Sequence, residues 1–233
     1  MTDRSEPVDP TDPSRNFLEL LSDDIRTALF DAGHRRRFAK GTTLFFQGDH
    51  AHEALVILDG LVKATIPAAT GREIILNVLG PGALIGEVTA LDGGRRSATI
   101  VSLTEVEVLV VEIGAFNQFL LDHPTVLHDL ARVLAARLRI GDRHQLEFGT
   151  GDSLQRLCAR LVELADHYGE PGAESIVEVL SPLNQSDLAS WSGLSREAVV
   201  KSLRVLRDLG WIENRGRRLA LLELDKLRER AGV

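Results

Sequence analysis

Two stretches of this 233-residue chain bring together side chains whose types and spacing suit chemistry. The first is Gly86-Glu87, eight residues, then Arg96-Ser97-Ala98. Arg96 offers a permanent bidentate cation for a phosphodiester. Ser97 and neighbouring backbone amides offer further donors. Glu87 offers an acceptor for a ribose hydroxyl, and Gly86 lets the backbone approach a ligand closely. The set suits a cyclic phosphodiester, but the spacing equally allows a surface Arg96 with Glu87 as its salt-bridge partner. The second stretch is LNQSDLASWSGLSREAVVKSLRVLRDL, residues 183–209. It reads as two helices broken at Ser192-Gly193-Leu194. Ser195 is the N-cap of the second, its hydroxyl accepting from a first-turn amide. Leu183, Leu188 and Trp191 face inward from the first helix, and Val199, Leu203 and Leu206 from the second. Arg196, Glu197, Lys201 and Arg204 lie on the opposite side, as in a helix that enters a DNA major groove.

The alternative for this second stretch is an ordinary helical hairpin with a solvated charged face, and local charge argues against it. Residues 195–218 hold seven Lys or Arg against three Asp or Glu, in a chain of net charge −7. A basic patch on an acidic protein fits a phosphate-contacting surface. Gly210-Trp211-Ile212-Glu213-Asn214, the basic turn Arg215-Gly216-Arg217-Arg218 and Leu219 to Leu222 form a strand, turn and strand. That is a wing able to reach the DNA backbone. The 44% hydrophobic and 26% charged content is ordinary for a globular protein, and the length suits two modest domains. No apolar run approaches the roughly 20 residues of a membrane helix. The acidic, Pro-rich residues 1–14 read as a flexible tail without a signal-peptide core, and the expected location is the cytoplasm. The single cysteine, Cys158, excludes an internal disulfide and a four-cysteine cluster and reads as a small core residue. The seven histidines form no HExxH or comparable spacing, and no GxSxG elbow appears, so neither a metal site nor catalytic residues are expected.

The expected class is α+β. From about Arg35 to Glu112, short apolar runs at Thr42–Phe46, Ala54–Leu58, Leu61–Ile66, Glu73–Leu79, Ala98–Leu103 and Val106–Ile113 alternate with Gly and Pro turns. They predict a β-roll over 15–123, preceded by an amphipathic segment from Phe17 to Phe30. A helical period then runs over 124–148, opening at Pro124. Its apolar stripe lacks a partner and predicts a dimer seam, the alternative being packing on its own roll. Gly149 to Asp152 reads as a hinge. Asp152 with Gln155 completes a capping-box pattern for a helix closing at Tyr168-Gly169, within a DNA-binding domain over 153–233.

The order of β-roll, GE-x8-RSA, long helix, hinge and SRE-containing winged helix-turn-helix resembles the Crp-Fnr family of bacterial transcription regulators over nearly the whole chain after the tail. IGEVTALDGGRRSA looks like the family's phosphate-binding cassette. The resemblance implies a homodimer, no obligatory cofactor, cyclic AMP or a related cyclic nucleotide as effector, and RNA polymerase as a further partner. It also implies palindromic double-stranded DNA with TGTGA-like half-sites. Arg196 would be bidentate to guanine, Glu197 would accept from cytosine, and Lys201 would contact guanine or phosphate, roles that agree with groove chemistry. Two departures stand out. Gly141 and Asp142 occupy the long-helix positions where cyclic-AMP-binding members carry a Thr-Ser pair touching the adenine, and Arg95 replaces a residue that is often Pro. The implied mechanism is a population shift in which the effector bridges roll and helix. A different effector, a haem, constitutive DNA binding and a cyclic-nucleotide-processing enzyme remain as alternatives.

Overall fold

The computed structural model describes residues 16–68, 71–172, 176–180, 183–216 and 218–232. The expected tail over 1–14 and the wing residue Arg217 fall outside them. Two four-stranded antiparallel sheets make the β-roll. One orders β1 (His34–Phe38), β8 (Val106–Glu112), β3 (Glu53–Asp59) and β6 (Leu84–Ile85). The other orders β2 (Thr43–Phe45), β7 (Thr99–Ser102), β4 (Val62–Pro67) and β5 (Glu73–Leu79). In β3 and β8 neighbouring residues point to opposite faces, and both faces are covered. Leu55, Ile57, Val108 and Val110 fill the space between the sheets. Ala54, Val56, Leu109 and Val111 pack outward under helices. Burial on both faces therefore turns a period-2 pattern into a continuous apolar run.

Three elements are too polar or too short to show in the apolar pattern and were not anticipated. Strand β1 is His-Arg-Arg-Arg-Phe, an edge strand paired with β8. Glu107 holds Arg35 and Arg37, and Glu53 holds Arg36. Strand β6 is two residues long. Helix α2 (Glu87–Asp92) is a single short turn between left-handed glycines. A third helix, α3 (Ile113–Asp122), follows β8 directly and buries Phe116, Phe119 and Leu120. The segment from Phe17 to Phe30 resolves into a 3-10 turn, Phe17–Leu20, and α1 (Asp23–Asp31).

The long helix α4 spans Pro124–Thr150, with His123 at its N-cap. It runs two residues past the expected end. Gly149 stays helical, and the amide of Gly151 bonds back to Glu147 O, so the break falls at Gly151-Asp152. Its apolar residues divide between two faces. Val126, Leu130 and Leu134 pack on the molecule's own β-roll, while Leu127, Leu138 and Leu146 stay exposed.

The C-terminal domain comprises α5 (Ser153–Tyr168), β9 (Gly169–Pro171), β10 (Val177–Leu180), α6 (Gln185–Ser192), α7 (Arg196–Asp208), β11 (Ile212–Arg215), β12 (Arg218–Leu221) and α8 (Leu224–Ala231). Asp152 caps α5, accepting from Gln155 N. The reciprocal half of the expected capping box is not made, and the Gln155 side chain donates to Ala231 O. The domain core, built on Leu157, Leu161, Trp191, Val199, Leu206 and Leu227, continues into Leu61, Ile75 and Val78 of the β-roll. Two polar contacts cross the same boundary. Tyr168 Oη donates to Val78 O at 3.1 Å, and Lys63 Nζ meets Asp187 Oδ1 at 2.7 Å. Cys158 is buried in this core, and burial pushes its thiol up to about 11.

Candidate effector cavity and nucleic-acid interface

A cavity of about 920 Å³ opens between the second sheet, the α2 loop and α4. Gly86, Glu87, Arg96, Ser97 and Ala98 all line it, with Phe45 and Ile66 from the sheet and Arg137, Gly141, His144 and Phe148 from the helix. Gly86 has φ +79°, a backbone conformation that strains any other residue, and a Cβ there would stand 2.1 Å from Arg96 Nη1 and push the guanidinium aside. Arg96 is 4% exposed. Its guanidinium donates to Gly86 O at 3.2 Å and Glu53 O at 2.5 Å, and lies 4.0 Å from the Phe45 ring centroid. Its Nε is buried and has no partner, and among the described residues it pairs with no carboxylate. Burial pushes its pKa down, opposed by the more distant Glu53, Glu87 and Asp49. A desolvated cation without a counter-anion is costly unless an anion joins it.

The reading of Glu87 as the salt-bridge partner of Arg96 does not hold. Glu87, itself buried, takes Arg137 Nη1 at 2.5 Å, and Arg137 Nη2 donates to Leu84 O at 2.7 Å. That fork ties α4 to the α2 loop and leaves Arg96 for a ligand. Arg95 lies outside the cavity, its guanidinium donating to Gly48 O. Gly141 lines the cavity, and a Cβ added there would meet nothing within 4 Å. Asp142 does not line it. The next residue on a helix points about 100° away, and Asp142 is exposed on the same stripe as Leu138 and Leu146. Arg137, His144 and Phe148 escaped the sequence reading. With Gly141 they recur at three- and four-residue steps on one face, a signal that the apolar residues alone did not reveal.

In the C-terminal domain Asn184 caps α6 in a box with Asp187, and Gly193 turns the chain at φ 62°. Ser195 caps α7, its hydroxyl accepting from Ala198 N at 3.1 Å. Arg196, Glu197, Lys201 and Arg204 are exposed and border one shallow depression with Gln185 and Val200. Arg204 reaches Asp208 at 3.7 Å on the surface. Two wing cations are engaged within the domain, Arg215 by Glu178 and Glu213 and Arg218 by Glu170. Any phosphate contact from the wing must therefore compete with these carboxylates.

The chain matches a cyclic nucleotide-binding domain over residues 35–123 and a Crp-like helix-turn-helix domain over residues 155–230. It is 32% identical over 196 residues to a CRP-like cAMP-activated global transcriptional regulator of Mycobacterium tuberculosis, covering 83% of this chain and 86% of that one. It is 31% identical over 197 residues to a cyclic AMP receptor protein of Thermus thermophilus, with the same coverage. A solved CRP-family transcriptional regulator, also from Thermus thermophilus, superposes with TM-score 0.71 at 31% identity, covering 85% of this chain and 97% of that one.

Proposed function

The chain belongs to the Crp-Fnr family of transcription regulators, and from that premise we propose a homodimer that reads palindromic DNA under the control of a cyclic nucleotide, most simply cyclic AMP. The coarser function follows from the family itself: a DNA-binding transcription regulator with a cyclic-nucleotide-binding domain, and not an enzyme. The observation that carries the effector reading is Arg96, a buried guanidinium with an unpartnered Nε in a cavity faced by Glu87 and Ser97. A cyclic phosphate supplies the missing counter-charge, and its ribose hydroxyl meets Glu87 beside Arg137. The names of the Mycobacterium and Thermus relatives support cyclic AMP as the nucleotide.

A second copy of this chain covers the exposed stripe of Leu127, Leu138, Asp142 and Leu146 on α4, burying apolar surface that the β-roll leaves open. The dimer sets two α7 helices about one DNA turn apart. Arg196 reads guanine, Glu197 accepts from cytosine, Lys201 reads guanine or phosphate, and Arg204 and the wing residues Arg215, Arg217 and Arg218 serve the backbone. The effector shifts the dimer toward the DNA-competent arrangement by as much as it binds that arrangement better. Bound at a promoter, the dimer has RNA polymerase as its further partner. A different effector in the same cavity is the second reading, favoured by the open space at Gly141.

Fluorescence anisotropy of an inverted-repeat TGTGA duplex, titrated with protein at several salt concentrations, tests the whole reading. Cyclic AMP should tighten binding at least about tenfold, with a steep salt dependence. Equal affinity with and without cyclic AMP or cyclic GMP removes the nucleotide. No preference for the inverted repeat removes the palindrome.

A further inference from the structure

His144 stands between the cavity and the DNA-reading domain. It lines the cavity yet is buried, and its Nε2 faces Arg160 Nη1 and, at 3.1 Å, Glu163 Oε2. Arg160 is 2% exposed. It donates to Glu163 at 2.9 Å and to Glu147, and its guanidinium lies 5.6 Å from the ring centroid of Trp191 in α6. One buried cluster thus joins α4, α5 and the first helix of the reading motif.

Arginine only donates, and burial pushes the Glu163 carboxyl toward its neutral form, whose hydroxyl donates, so the Nε2 that meets both is an acceptor. The imidazole is then neutral with its proton on Nδ1. Burial first, then Arg160 and Arg143, hold the ring neutral by pushing its pKa down to about 3. Nδ1 makes no hydrogen bond among the described residues, so N–H is the donor the ring has left. Gly141, one turn earlier, brings no side chain. A base seated on this wall therefore meets His144 and Gln145.

We propose that His144 is the effector-reading residue of α4: Nδ1–H donates to a ring nitrogen of a purine cyclic nucleotide while Nε2 anchors Arg160 against Trp191. The inference rests on the cyclic-nucleotide reading above and adds the determinant of base recognition and its link to α6.

The test measures cyclic AMP affinity by calorimetry, and the effector-induced gain in DNA affinity by anisotropy, on the full-length protein. His144→Phe keeps a ring but loses both nitrogens, and should bind cyclic AMP about tenfold more weakly, the worth of one good hydrogen bond. His144→Asn keeps a donor near Nδ1 but does not reach Arg160. It should bind within about threefold of the parent yet lose most of the DNA gain. Arg160→Lys keeps the charge without the planar fork and should behave like His144→Asn. Parental cyclic AMP affinity in His144→Phe overturns the base contact, and a full DNA gain in Arg160→Lys overturns the link. Should His144→Phe not fold, the parent is titrated with 1-deaza, 3-deaza and 7-deaza cyclic AMP. A roughly tenfold loss confined to one analogue upholds the contact, and equal affinities overturn it. A parent that binds no cyclic nucleotide fails a different claim, the effector reading itself.

Discussion

Arg96 and Arg137 show how the same side chain serves opposite ends in one cavity. Arg137 satisfies a buried carboxylate, whereas Arg96 is a buried cation held only by two carbonyl oxygens and a ring. Arg96→Gln should cost effector affinity about a hundredfold, since charge-assisted bonds to phosphate are lost. It should leave the folded state as stable as the parent or more so, because the desolvated charge goes too. Calorimetry and urea melts read the two effects separately, and a marked loss of stability would contradict this account. Arg137→Met has the reverse signature. It strands Glu87 without its partner and should destabilise the fold by about 3 kcal/mol.

At the scale of elements, the turn between α6 and α7 is the most constrained part of the reader. Gly193 has φ +62°, and a Cβ there would stand 2.7 Å from the Phe148 ring at the end of α4. Gly193→Ala should therefore cost about 1–2 kcal/mol for the left-handed backbone alone, and should also displace Phe148 from the cavity wall it lines. Thermal melts and cyclic AMP titration of that variant check both, and unchanged values in each would show that the contact is slack. On α7 itself Arg196→Ala should weaken binding to the inverted repeat by about 1–3 kcal/mol while leaving non-specific DNA nearly untouched. Uniform weakening across all sequences would make Arg196 a phosphate contact instead.

For the whole molecule, the common core of β-roll and reading domain links ligand, charge and stability. His144 titrates near 6.5 when unfolded and is pushed down to about 3 when folded. Between those values the unfolded chain binds more protons. Its contribution is thus fully present above about pH 6.5 and is lost as pH falls toward 3. Glu163 works the other way: burial raises its pKa, so its contribution is present below its ordinary value of 4.5 and is lost as pH rises through the raised one. From pH 7 to 5 the urea midpoint of His144→Phe should rise relative to that of the parent, because the variant lacks the group whose protonation favours the unfolded chain. An equal slope in both proteins would mean that other groups set the acid limb.

The strands of the roll, the helix-turn-helix and its SRE cap were legible because periodicity, glycine turns and capping chemistry are local properties of the chain. Ser195 caps α7 as its hydroxyl requires, and the runs at Ala54–Leu58 and Val106–Ile113 became β3 and β8. Strand β1 was invisible, because an arginine-rich edge strand takes its order from β8 and the carboxylates opposite. Pairing was equally hidden. Glu87 met Arg137, fifty residues along, instead of the nearby Arg96, and Asp142 turned from the cavity while His144 entered its wall. Those outcomes depend on which face of α4 the roll covers and on where the reading domain docks, through Lys63 and Asp187 among others. Local spacing sets which side chains share a face, but only the packing of distant segments decides what that face meets.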